Sequence, residues 1–321
     1  MKLKKTVLII TIVSTISLLF GCSFFSNKGT LSLSLTDAPI ADSKDVEGVF
    51  ITITKIQYNL NGEWIDDTNF ESPQTYNLLD LTNGTVEPLS NVVIDSGKVS
   101  QIRFLLDSAQ DGKKTASISS NCYIIIDSDG TAERDGIIEK NDNKYPLFVP
   151  SGDQTGYKAV GEFIIPSNGT VEITADFDVR KSVIKKGNID SHDYSLKPTI
   201  RLIANNQAGS IKGSFSFNNI EEYNTYTIFA YESGEYNENE LSQEGDNPTY
   251  FENAISSSQV VLSEEGNNYI LPFLAQGNYD LIITGVDDSN NYHILDDLNY
   301  TNIEVESEKD SIENISISIP L

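Results

Sequence analysis

The 321 residues carry 22 Lys and Arg against 47 Asp and Glu, a formal net charge of −25, and this excludes the dense cation surface on which nucleic-acid binding relies. Two cysteines exclude a disulfide framework, and two histidines leave little imidazole for zinc or acid–base chemistry. The length is enough for two hydrophobic cores.

The chain opens with Lys2, Lys4 and Lys5, followed by an apolar run from Thr6 to Phe20 and then Leu19-Phe20-Gly21-Cys22. A basic start, a short apolar stretch and a small residue before a cysteine read as a lipoprotein signal. The run is about fifteen residues, short of the roughly 17–25 that a spanning helix needs. Residues 1–21 are expected to be removed and residues 22–28 to form a lipidated Cys22 with a short tether. Acyl chains on Cys22 would hold the protein at a bilayer by burying methylenes. This places it in a bacterial cell envelope outside the cytoplasm, with the leaflet left open. Cys122, the other cysteine, then has no partner, and its setting in Cys122-Tyr123-Ile124-Ile125-Ile126 reads as a buried, inert thiol.

Beyond the tether, apolar residues recur at period two or in β-branched runs, broken by Gly, Asn, Asp, Ser and Pro, which is an all-β pattern. The predicted strands are Gly29 to Thr36, Val49 to Tyr58, Thr75 to Leu79, Lys98 to Leu106, Cys122 to Ile126, Tyr145 to Val149, Lys158 to Ile165, Thr170 to Phe177 and Thr199 to Ile203. In the first of these, Leu31, Leu33 and Leu35 share one face and Ser32, Ser34 and Thr36 the other. Single helical turns are predicted near Val86 to Asn91 and near Glu238 to Gln243.

The polar stretch Ala204-Asn205-Asn206-Gln207-Ala208-Gly209 marks a boundary, giving domains at 29–205 and 206–321. The acidic excess concentrates beyond it, where Lys212 and Lys309 are the only basic residues. About seven strands follow, at Ser210 to Phe217, Tyr226 to Tyr231, Ser258 to Leu262, Asn268 to Leu271, Asn278 to Gly285, Asn302 to Glu306 and Ile312 to Ile319. The fold class is therefore two consecutive β-sandwich domains, the second small and Ig-like or transthyretin-like. Gly234 to Asn253, rich in Glu, Asn and Ser, reads as a long exposed loop.

Four segments of the first region carry a family resemblance. They are Gly29-Thr30-Leu31-Ser32-Leu33-Ser34-Leu35-Thr36-Asp37-Ala38-Pro39, Pro150-Ser151-Gly152-Asp153-Gln154-Thr155-Gly156-Tyr157-Lys158, Asp176-Phe177-Asp178-Val179-Arg180-Lys181-Ser182 and Tyr194-Ser195-Leu196-Lys197-Pro198-Thr199-Ile200-Arg201. In this order they resemble the bacterial export-associated domain of unknown function 4382, from about Gly29 to Ile203. The resemblance implies a protein that is often a lipoprotein and often followed by another sandwich, and it implies no established activity. The second region resembles carboxypeptidase regulatory-like modules with a transthyretin-like or starch-binding-domain-like sandwich. Ala208-Gly209-Ser210-Ile211-Lys212-Gly213 and Tyr269-Ile270-Leu271-Pro272-Phe273-Leu274-Ala275-Gln276-Gly277-Asn278-Tyr279-Asp280 carry that likeness.

Asp176, Asp178 and Arg180 alternate along one predicted strand, and Lys197, Thr199 and Arg201 along another. Carboxylates facing cations in this way can tie strands together through charge-assisted bonds. The alternative is a polar binding site joined by Asp37 from the Thr36-Asp37-Ala38-Pro39 turn and by Asp153 and Lys158 from the glycine-flanked loop. That loop lacks the phosphate-loop spacing. Asp127-Ser128-Asp129-Gly130 begins like a calcium loop, but Ala132 and Ile138 stand where Gly and Glu are required. Ser191-His192-Asp193 cannot form a triad among consecutive residues.

No cofactor is expected, with bound calcium a weak alternative. The expected function is non-catalytic: a lipid-anchored protein presenting a recognition or adhesive surface to glycan or protein partners and not to nucleic acid. Tyr236, Tyr250 and Phe251 in the acidic loop are the candidate ligand contacts. The alternatives are a structural or assembly lipoprotein without a small ligand and, less favoured, a carboxylate-based hydrolase.

Overall fold

The computed structural model describes residues 27–38, 46–107, 120–126, 143–150, 155–186, 193–217, 223–241, 251–287 and 291–318. It is an all-β protein of sandwiched sheets. The first unit contains β1 (Lys28–Ala38), β2 (Val46–Leu60), β3 (Glu63–Asp66), β4 (Gln74–Asn77), β5 (Glu87–Asp95), β6 (Gly97–Leu106), β7 (Tyr123–Ile126) and β8 (Asn143–Phe148). It continues with β9 (Tyr157–Ile165), β10 (Thr170–Asp178), the one-turn helix α1 (Val179–Ser182), β11 (Val183–Lys186), β12 (Asp193–Leu196) and β13 (Ile200–Ala204).

These strands make one 13-stranded sheet in the order β11-β12-β8-β7-β2-β6-β9-β13-β10-β1-β5, with β3 and β4 also on β2. The fifteen residues of β2 serve four partners. One edge pairs with β7 through Val46–Phe50 and then with β6 through Ile53–Leu60, while the other pairs with β4 and then β3. The sheet folds back on itself, so Leu31, Leu33 and Leu35 of β1 pack in the same core as Ile56 and Tyr58 of β2 and Phe104 of β6. Alternation along β1 is what puts three leucines there, each almost fully buried, with Ser32 and Ser34 turned outward.

A short 3₁₀ turn, Asn205–Gln207, leads into β14 (Ala208–Phe217), β15 (Thr225–Glu232), β16 (Ser256–Gln259), β17 (Asn267–Ala275), β18 (Gly277–Val286), β19 (Tyr292–Asp296), β20 (Ile303–Val305), β21 (Asp310–Ile312) and β22 (Ile315–Ile317). One sheet holds β17-β14-β21 with β22, and the other holds β16-β15-β18-β19 with β20. Ile211, Phe215 and Leu271 from the first meet Tyr226, Ile228, Leu281 and Ile283 from the second in one core. β17 and β18 are consecutive yet lie in different sheets, so Gln276 between them carries the chain across the sandwich.

Several expectations are corrected. The segment near Val86 to Asn91 is not a helical turn but the start of β5, held by β1. The last predicted strand is split into β21 and β22, and between them Glu313 O lies 1.9 Å from where a Cβ on Gly213 would stand, an approach that bare backbone allows. β19 was not expected at all. The loop from Gly234 is less exposed than its composition suggests: Phe251, Ala254, Tyr236 and Leu241 pack with Phe229 and Tyr231 on the outer face of the second sheet. β15 is therefore buried on both faces, Tyr226 and Ile228 inward and Phe229 and Tyr231 outward.

Candidate functional site

The end of β10 and the turn that follows bring the predicted charged residues together. β1 runs parallel to β10 with Thr36 opposite Asp176 and Asp37 opposite Phe177, so Asp37 belongs to the strand and not to a turn. β13 runs antiparallel with Arg201 opposite Asp176, and Asp176 Oδ2 accepts from Arg201 Nη2 at 2.6 Å and Nε at 3.2 Å. β10 stops at Asp178, because the Val179 N–H donates to Asp37 Oδ1 at 3.0 Å and the chain turns into α1. Ser182 Oγ closes that turn by donating to Asp178 O at 2.6 Å and accepting from Thr199 N at 2.9 Å.

Arg180 thus lies on a helical turn, not on a continued strand. Its Nε donates to Asp178 Oδ1 at 3.1 Å and its Nη2 to Asp178 Oδ2 at 2.8 Å. The guanidinium then reaches into the second unit, 5.5 Å from the Phe229 ring, with Nη1 3.4 Å from Phe251 O and Nη2 3.4 Å from Ala254 O. Lys181 spans the same gap, 3.2 Å from Asp178 Oδ2 and donating to Ala254 O at 2.9 Å. Ser258 Oγ adds a bond to Asn83 Oδ1 at 3.2 Å. The cluster is a joint between the two units.

Burial sets the charge states. Burial pushes the Asp37 carboxyl well above the usual carboxylate range; the Val179 bond opposes this, and the Asp178 and Asp176 carboxylates reinforce it. Its Oδ2 is buried without a hydrogen-bond partner among the described residues. Asp178 is equally buried, but the charges and bonds of Arg180 and Lys181 outweigh that burial and hold its carboxyl below the usual range. Burial pulls the Lys181 ammonium down, against Asp178. Two adjacent strands thus carry aspartates whose carboxyls are shifted in opposite directions.

Residues 28–198, just over half of the chain, match the family described as Domain of unknown function (DUF4382). The chain belongs to that family. The DUF4382 region covers Asp37, Asp176, Asp178, Arg180 and Lys181, while their partners Arg201, Phe251 and Ala254 lie beyond it. No curated protein matches the chain. Among solved structures it is similar to a leucine-rich repeat protein from Bacteroides thetaiotaomicron (11% identity, TM-score 0.22, covering 92% of this chain and 26% of that one). It is similar also to the Bacillus anthracis TIE protein (10% identity, TM-score 0.17, covering 91% and 35%). A third is the minor pilin of Streptococcus agalactiae (9% identity, TM-score 0.21, covering 90% and 97%). The chain spans about a quarter and a third of the first two, and scores this low say nothing about its activity.

The remaining candidates are scattered. Within the DUF4382 region, Lys158 is exposed on β9, 5.8 Å from the Trp64 ring that Arg103 covers at 3.9 Å. The Lys197 ammonium makes no ion pair among the described residues; the backbone N–H of Lys197 donates to Ser182 O at 2.7 Å. Phe251 is not an exposed contact: it is 0% exposed and stacks on Phe229 with centroids 4.1 Å apart. Tyr236 is half-buried against Tyr231. Cys22, Asp153, Tyr250, the Asp127 to Gly130 segment, Ser191 and His192 lie outside the described residues. Sequence reasoning missed Lys181, whose adjacency to Arg180 was its one visible signal. It also missed Glu240, buried and accepting from Tyr231 Oη at 2.9 Å and Asn253 N at 3.0 Å.

Proposed function

We propose that the chain is a non-catalytic protein, anchored through lipid on Cys22 outside the cytoplasm, whose two domains, meeting at Asn205–Gln207, present a recognition surface to a glycan or protein partner. The observation that supports this is the use made of the buried charges. Asp178, Arg180 and Lys181 satisfy one another and the backbone of the second unit, and Asp176 satisfies Arg201. Residues so engaged position domains and are not poised for proton transfer, which needs a group free to reach a substrate. A fixed relation between two sandwiches suits display.

The test has two parts. Cys22→Ser should move the protein from the membrane fraction to the soluble one; retention on the membrane overturns the lipid anchor. The soluble chain from Ser23 onward, screened on glycan arrays and by pull-down against envelope extracts, should retain a specific partner that withstands raised salt. Hydrolysis of a screened glycan would overturn the non-catalytic reading.

A further inference from the structure

Sheets that wrap around a core remove their edges by closing, and an unclosed seam exposes two of them. The first unit has such a seam. Running from β2 through β6, β9, β13, β10 and β1, the sheet ends at β5, which among the described residues pairs only with β1. At the other side of β2, β4 pairs only with β2 among the described residues. The two edges face one another across a groove of about 790 Å³ whose lining includes Gln74 and Tyr76 of β4, Glu87, Leu89 and Asn91 of β5, and Glu71 between them.

We propose that this seam docks an extended segment of another polypeptide, bearing Lys or Arg at alternate positions, as an added strand. The inference rests on the reading of the chain as a recognition protein and names the kind of partner. At the end of the groove Asn69 Nδ2 donates to Asn91 O at 2.7 Å, so a side-chain amide already occupies an acceptor on β5 that points away from β1. Edges are commonly blunted by Lys or Pro. Here Pro88 guards only the start, and the run Asn91-Val92-Val93-Ile94 carries no charge, with Val93 59% exposed. From Glu87 to Asn91 an added strand would run roughly 16 Å at the usual rise.

Charge selects the partner. Glu71 and Glu87 line the groove, and among the described residues no Lys, Arg or His does. The Tyr76 phenol is pushed up to about 12, chiefly by burial and in smaller part by the Glu87 carboxylate. A second copy offering its own β5 would bring Glu87 and Asp95 against these carboxylates, which disfavours self-pairing. Backbone bonds would give affinity and alternate side chains specificity.

The test uses the chain from Ser23 onward with three synthetic peptides: alternating Lys–Thr, the same peptide with proline at alternate threonines, and alternating Glu–Thr. Lys–Thr should bind about tenfold more tightly than the proline form and slow amide exchange selectively in β5. In an antiparallel ladder the N–H of Asn91 points the same way as its C=O, so Asn91→Pro should abolish that slowing while sparing the β1 ladder. Glu71→Lys with Glu87→Lys, both at the surface, should transfer preference to Glu–Thr. Equal binding of the Lys–Thr and proline peptides would show diffuse attraction to an acidic chain and overturn the proposal. So would protection elsewhere, or protection of β5 by dimerisation without peptide. Retained glycan or protein capture with no peptide binding would remove the groove and leave the recognition reading standing.

Discussion

Asp178 and Arg180, two residues apart, hold each other through a fork of two bonds at 3.1 and 2.8 Å while the Arg180 side chain is only 5% exposed. Removing one partner of such a pair strands a buried charge, at a cost of about 3–5 kcal/mol. Asp178→Asn should therefore lower stability strongly in urea, and Asp178→Asn with Arg180→Met should recover part of the loss. The exposed pair Lys55–Asp66, 3.1 Å apart, is the contrast. Asp66→Asn should cost less than about 1 kcal/mol. Equal costs at the two sites would mean that the joint is not buried in solution.

Asp37 and Asp178 give opposite pH dependences. The folded-state pKa of Asp37 is raised, so its contribution is fully present below the unfolded value near 3.8 and is lost as pH rises toward the folded value. That of Asp178 is lowered, so its contribution is present above the unfolded value and is lost as pH falls. Asp37→Asn keeps an acceptor for the Val179 N–H and removes the ionisation. It should raise the melting temperature at neutral pH, and the gain should vanish in acid. Calorimetry across pH checks this, and a constant offset would contradict it.

Phe251 and Tyr236 separate packing from display. Phe251→Ala deletes a ring buried against Phe229 and should cost about 3–5 kcal/mol. Tyr236 Oη is buried without a partner among the described residues, so Tyr236→Phe should leave stability unchanged or raised. Thermal melts of the two variants suffice, and a neutral Phe251→Ala would show the ring to be dispensable.

Cys122 is 0% exposed and burial pushes its thiol up to about 12. In the chain from Ser23 onward it is the sole thiol. It should resist a thiol-specific reagent in buffer and react fully in denaturant. Rapid native labelling would sink the assignment.

The strands that sequence revealed are those with one wet face. Leu31, Leu33 and Leu35 alternate with Ser32, Ser34 and Thr36, and a single buried face makes that pattern readable. β5 was hidden because Pro88 and Asn91 look like turn residues and a bulge opposite Leu33 and Ser34 breaks its alternation. The charged cluster was legible as composition, since Asp176 and Arg201 do pair across strands. The turn at Val179 was not, because its cause is a carboxylate 142 residues away. Phe251 was read as exposed because its neighbours in sequence are polar, whereas its neighbours in space are Phe229 and Tyr292.

β1 takes Val92 as the partner of Leu31 on one side and Val171 on the other. A chain delivered N-terminus first therefore supplies β5 early and β10 only after most of the first unit has emerged. Until then the leucine row of β1 is half covered, and non-local pairing of this kind makes folding slow and exposes apolar surface meanwhile. Completion of the first unit is an event of late delivery, and its first strand is the one that waits longest.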